Sequence, residues 1–167
     1  VRHGVFPLPE KTGHRPVTNH QDLKIMSDTI CDPKVLDHIQ KDAFARHLGA
    51  TVEIVAPGRS RVFLTVTETM TNFHGTTHGG VIFAISDMAF AAACNSHGRV
   101  AVALNVSICY LKPSFPGDRL KAEATEIHCG RRTSLYDITV TNEDTGALIA
   151  RSQDQAFRKE AWIVPEK

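Results

Sequence analysis

Hydrophobic positions along the chain keep two different periods. Over residues 33–48, Val35, Leu36, Ile39, Ala43 and Leu48 recur at helical spacing behind an Asp32-Pro33 start, and Gly49 supplies the stop. That pattern predicts one amphipathic helix. Residues 51–56 and 61–69 then read as two short strands. In the second, Val62, Leu64 and Val66 alternate with Phe63, Thr65 and Thr67, and Pro57-Gly58-Arg59-Ser60 is the turn of a hairpin. From Val81 to Cys94 the pattern changes again: every position is apolar or small except Ser86 and Asp87. Gly79 and Gly80 open this stretch and Gly98 ends it, so it predicts a helix enclosed on all sides by the rest of the fold.

Beyond Gly98 the period returns to that of strands, over residues 100–111, 120–127, 134–141 and 147–157, separated by turns rich in Pro, Gly, Asn and Asp. On the last strand Ala150, Ser152, Asp154 and Ala156 share one face. Consecutive strands joined by tight turns predict an antiparallel sheet, and curling that sheet around the apolar helix is the economical way to cover it. The expected class is α+β, with one domain over residues 31–160, a loosely structured arm over 1–30 and a tail over 161–167. A single sheet leaves edges and one face open, which predicts self-association.

Composition narrows the partners. Nineteen Lys and Arg against eighteen Asp and Glu give a net charge of +1, and no basic run exceeds Arg131-Arg132. Nucleic acid and bulk membrane surfaces are therefore poor candidates. The four cysteines are scattered without a CxxC spacing, and the first residues lack an apolar leader core, so the expectation is a reduced, cytoplasmic protein.

Asp87 is the anomaly of the apolar run. A carboxylate in such a setting must be paired, hydrogen-bonded or pushed toward its neutral form, and such sites are often functional; a structural ion pair at the helix edge is the plainer reading. The segment Asn72-x-His74-x-x-x-His78-Gly79-Gly80, with Asp87 nine residues after His78, resembles the acyl-CoA thioesterases of the hot-dog fold. It is most similar to their PaaI-like branch, the thioesterases of phenylacetic acid degradation. Cys94-Asn95-Ser96-His97-Gly98, Tyr110-Leu111-Lys112-Pro113 and Tyr136-Asp137-Ile138 extend the likeness to residues 39–158. The resemblance implies a sheet wrapped around a central helix and hydrolysis of aryl- or medium-chain acyl-CoA to free acid and CoA. No cofactor is implied beyond the coenzyme A of the substrate.

Site roles follow from the same resemblance. The amide of Gly79 polarises the thioester carbonyl, Asn72 holds the carbonyl or the water, and Asp87 is general base or nucleophile. His78 either donates to the carbonyl or orients the loop. Arg131, Arg132 and Thr133 are candidate contacts to CoA phosphates, although a solvated hairpin tip explains the arginines equally well. Some relatives place an assisting serine on the strand after the helix; Ala103 stands there in this chain. His74 and His78 sit in a Gly/Thr loop with no completing ligand, so no metal is expected, and Cys94 reads as a buried, inert thiol. Geometry adds one point. If the helix begins near Gly80, Asp87 lies roughly 10 Å along it, too far to act on a thioester at its own helix start. The site is therefore expected to be shared between two antiparallel helices of a dimer, and the family habit implies a homotetramer. A non-catalytic acyl-CoA-binding module and an acyl-CoA dehydratase are the alternatives.

Overall fold

A computed structural model describes residues 31–164. The arm assigned to residues 1–30 lies outside the described residues. Helix α1, Pro33–Ile39, begins at Asp32, whose carboxylate accepts the Lys34 N–H, with Pro33 in the first turn. The expected single helix then breaks. Gln40 caps α1, and Asp42 starts α2, Ala43–Leu48, its carboxylate accepting the N–H groups of Phe44 and Ala45. A side chain that satisfies two backbone donors at once makes a better helix start than a helix interior, so the apolar spacing alone misled. Gly49, at φ 71°, ends α2 in the left-handed conformation.

Strands β1, Thr51–Ala56, and β2, Arg59–Thr65, form the hairpin around a two-residue Pro57-Gly58 turn; Ala56 pairs with Arg59, so Arg59 and Ser60 belong to the strand. A short 3-10 turn, Glu68–Met70, leads to helix α3, Gly79–Asn95. Strands β3, Arg99–Tyr110, β4, Arg119–Cys129, β5, Thr133–Asn142, and β6, Leu148–Trp162, complete one six-stranded antiparallel sheet. Strand β6 runs to Trp162, past residue 160 where the domain was expected to close. The order is β1-β2-β4-β5-β6-β3. Sequence neighbours β3 and β4 are thus not partners. β3 pairs with β6 and stands at an edge, and the turn between β3 and β4 carries the chain back into the sheet.

The concave face of the sheet packs on α3. Val62, Leu64, Ala122, Ala124, Tyr136, Ile138, Ala150 and Ala156 from the strands meet Ile82, Ile85, Ala89, Phe90 and Ala93 from the helix. Burying such side chains stabilises the fold by about 1.5–3 kcal/mol each for the larger ones. Enclosure is incomplete, however. Gly80, Phe83 and Ala91 are exposed and Asp87 and Asn95 only partly covered, a stripe at spacings of three and four along one side of α3. Among the described residues, the six strands curl around one side of the helix and leave this stripe only partly covered. The apolar-all-round pattern therefore marks a helix whose last face something else must cover.

Candidate active site

The start of α3 is fixed by its own cap and by two loops. His78 takes an extended conformation, φ −62° and ψ 134°, and its Nδ1 accepts the Gly80 N–H at 2.9 Å. Because Nδ1 is an acceptor, the proton of the neutral ring sits on Nε2, at the exposed edge of the ring. His78 thus caps its own helix through the ring. The His78 N–H donates to the Met70 carbonyl at 2.8 Å. Buried Thr77 is held by the Ser114 backbone and hydroxyl, both at 2.8 Å. No described residue accepts from the N–H of Gly79, the first donor of a seventeen-residue helix. Such a group carries the partial positive charge of the helix terminus and suits a developing oxyanion.

That donor opens on a pocket of about 360 Å³ bounded by Asn72, Thr76, Gly79, Ile82, Tyr110 and Lys112. Tyr110 donates its hydroxyl to the Gly79 carbonyl at 3.2 Å and fixes the helix start against β3. A Cβ on Gly79 would lie 3.5 Å from the Tyr110 ring, an ordinary contact. Asn72 is largely committed to its own loop: Nδ2 donates to Thr76 Oγ1 at 2.9 Å and Oδ1 accepts the His74 N–H at 2.8 Å. The loop that carries Asn72 and the helix start thus meet at one pocket. His74 is exposed and lies against Phe73, the two rings tilted by 48° with centroids 4.0 Å apart.

Asp87 does not line that pocket. With α3 beginning at Gly79, it lies eight residues on, about 12 Å along the axis. It sits on the uncovered stripe, partly buried, and its carboxyl is pushed above the ordinary carboxylate value, chiefly by burial and further by the negative charge of Asp42. Cys94, deep in the helix, is pushed up to about 12 by burial first, and so remains a thiol.

One further carboxylate, not singled out from sequence, is buried in the core. Asp154 is fully buried on the helix-facing side of β6, between Ser152 and Ala156. The signal was present in the alternation of residues 150–156, where an Asp occupies a position whose neighbours on the same face are all small and buried.

The basic residues gather at the other end of α3. Arg99, Arg131, Arg132, Arg158 and Lys159 surround an open groove of about 660 Å³ whose apolar wall is Phe157 and Trp162. Arg99 and Arg158 are fastened to backbone carbonyls of Lys159 and Gly130, while Arg131 and Arg132 stand exposed at the turn. Thr133, grouped with the arginines from sequence, does not line the groove: it is the first residue of β5, held in register with Phe157. Nearby, His97 Nε2, Glu126 and Cys129 offer nitrogen, oxygen and sulfur within 4.8 Å of one another. The Glu126 carboxylate oxygen there already has two partners, His97 at 2.6 Å and the Tyr136 hydroxyl at 2.7 Å. Burial pushes the Glu126 carboxyl up, but these bonds prevail and hold it below its ordinary value. The bonds from His97 and Tyr136 to Glu126 tie the end of α3 to β4 and β5.

Comparison with known proteins agrees with this geometry. The Thioesterase superfamily model matches residues 74–149. The acyl-coenzyme A thioesterase PaaI of Escherichia coli is 43% identical over 104 residues, 62% of this chain and 74% of that protein. The solved structure of E. coli PaaI, from the phenylacetic acid degradation operon, superimposes with a TM-score of 0.75 at 35% identity, covering 80% of this chain and 99% of that one. A hypothetical thioesterase of Streptococcus pneumoniae, solved with coenzyme A, gives a TM-score of 0.68 at 27% identity over 74% of this chain and 96% of that one. With its antiparallel sheet curled on one central helix and its His-Gly-Gly helix start, the chain belongs to the hot-dog thioesterase superfamily, in the PaaI-like branch.

Proposed function

We propose that this protein hydrolyses acyl-CoA thioesters, with aryl- or medium-chain acyl groups such as phenylacetyl as substrates, at a site shared between two copies. The carrying observation is the separation along α3. An unpartnered helix-terminal N–H at Gly79 faces a pocket, and the one carboxylate of the helix lies about 12 Å further on, open to a partner. One chain holds both halves of a hydrolytic site and cannot bring them together.

Two copies can. When α3 helices run antiparallel across a twofold axis, Gly79 of each copy approaches Asp87 of the other. The thioester carbonyl oxygen then accepts from the Gly79 N–H. Asp87 takes a proton from water as the oxygen of that water attacks the carbonyl carbon. The negative charge moves to the carbonyl oxygen and is held by the helix terminus. Collapse expels the CoA thiolate, which takes up a proton, leaving free acid and CoA. Edge strand β3, with Val102, Leu104 and Tyr110 exposed, lies beside the bare stripe of α3 and is the natural seam. The groove of Arg99, Arg131, Arg132, Arg158 and Lys159 suits the CoA phosphates, and Trp162 and Phe157 suit its base.

Release of free CoA, followed with a thiol reagent over phenylacetyl-, hydroxyphenylacetyl-, benzoyl- and straight-chain acyl-CoAs, tests this reading. Wild type turns over at least one class, and Asp87→Ala folds normally and loses nearly all turnover. In a single turnover in H218O the label enters the released acid and not Asp87, as a base requires. Wild-type-like release by Asp87→Ala, or tight binding without hydrolysis across the panel, overturns the assignment.

A further inference from the structure

At the end of α3 away from Gly79, donors of three different kinds meet. His97 lies just beyond the last residue of the helix, Glu126 is on β4, and Cys129 ends that strand at the turn to β5. Their nitrogen, oxygen and sulfur atoms lie within 4.8 Å of one another, and all three side chains are half-buried. His97 Nε2 is 2.6 Å from Glu126 Oε2. A regular strand would not bring Glu126 and Cys129 together, because residues three apart point to opposite faces. The register of β4 against β5 slips between Glu126 and His128, so that Ile127 has no partner on β5, and this bulge turns Cys129 to the Glu126 side. Ligands bound to a tetrahedral zinc ion at about 2.0–2.3 Å stand roughly 3.3–3.7 Å from one another. That spacing falls between the 2.6 Å contact and the 4.8 Å limit of the cluster.

The geometry points to a binding site for one thiophilic divalent cation of the zinc class, held by His97 Nε2, Glu126 and the Cys129 thiolate, with water in the fourth place. Thiolate, imidazole and carboxylate together suit zinc or cobalt, whereas magnesium and calcium take oxygen ligands. On binding, Cys129 Sγ bonds to the ion and its proton leaves to solvent, while the His97 ring proton sits on Nδ1 and frees the Nε2 lone pair. The two positive charges of the ion are matched by the negative charges of Glu126 and the thiolate. That neutral set lets a cation sit beside the basic groove, where Arg158 is already fastened to the Gly130 carbonyl next to Cys129. The surroundings suit the same role. The Tyr136 hydroxyl donates to Glu126 at 2.7 Å, an outer bond of the kind that orients a ligating carboxylate, and the carbonyl end of α3 adds partial negative charge. The ion fastens the end of α3 to β4 and to the turn into β5.

Cobalt(II), added alone to the full chain after treatment with a chelator, tests this without any need of thioester turnover. One ion binds per chain and gives the visible bands of a tetrahedral centre together with thiolate-to-cobalt charge-transfer absorption in the near ultraviolet, and zinc displaces it. Cys129→Ser loses the charge-transfer absorption and weakens binding about tenfold or more. Glu126→Gln, which keeps a carbonyl for the Tyr136 bond but not the charge, weakens binding to a similar degree. Cys109→Ser, which removes the exposed thiol of β3, leaves both readouts unchanged. Absence of charge-transfer absorption in wild type, its persistence in Cys129→Ser or its loss in Cys109→Ser overturns the site. X-ray absorption at the zinc edge of wild type needs no variant and decides if Cys129→Ser fails to fold. One sulfur at about 2.3 Å beside nitrogen and oxygen at about 2.0–2.2 Å supports the site, and a shell without sulfur overturns it.

Discussion

Asp87, on the uncovered stripe of α3, and Asp154, buried under β6, were unequally visible in the sequence. Asp87 interrupts fourteen positions of otherwise apolar or small residues together with Ser86, and nothing in helix formation asks for a carboxylate there. Asp154 sits on a strand, where every second residue is polar as a matter of course, and only the burial of its own face shows that it points inward. Its cost should be measurable. The folded protein holds the Asp154 proton up to about 6 against an ordinary 3.8. Stability is therefore greatest at low pH and falls as pH rises from about 4 to 6, by about 3 kcal/mol in all. Asp154→Asn removes that fall: denaturant titrations should show it more stable than wild type at pH 7.5 and equal near pH 3.5. A variant less stable than wild type at pH 7.5 would show that the charge is compensated.

Among the elements, strands were legible because period-2 alternation is local, and their ends shifted by only a few residues. The helix over residues 33–48 was not, because Val35, Leu36, Ile39, Ala43 and Leu48 keep helical spacing straight through a break. Asp42 makes the break by capping α2, and it does so from the position a helix interior would have occupied. Asp42→Ala should cost about 1 kcal/mol, a fall in Tm of roughly 3 °C by calorimetry, while Asp42→Asn keeps the cap and stays near wild type. Equal losses in both variants would mean that the charge, not the cap, matters. Strand pairing was the least legible level. That β3 leaves its neighbour β4 for the far edge beside β6 depends on where the sheet curls around α3, which no stretch of sequence states by itself.

For the whole molecule, the proposed shared site rests on the partly covered stripe of α3 and on the apolar residues exposed along edge strand β3. Leu104, 58% exposed at an irregularity of β3, is a position where charge harms the edge and not the fold. Leu104→Lys should elute as a monomer with native circular dichroism and lose turnover; a monomer that keeps it refutes the shared site. The most direct measurement mixes two inactive variants. Asp87→Asn lacks the base. Gly79→Pro lacks the helix-terminal N–H, and proline suits that position because it is the first of the helix and His78 before it is already extended. Co-refolded in equal amounts, they assort so that half of the dimers carry one intact site, and about a quarter of wild-type turnover returns. A site built within one chain gives no recovery at all, and that result would contradict the account.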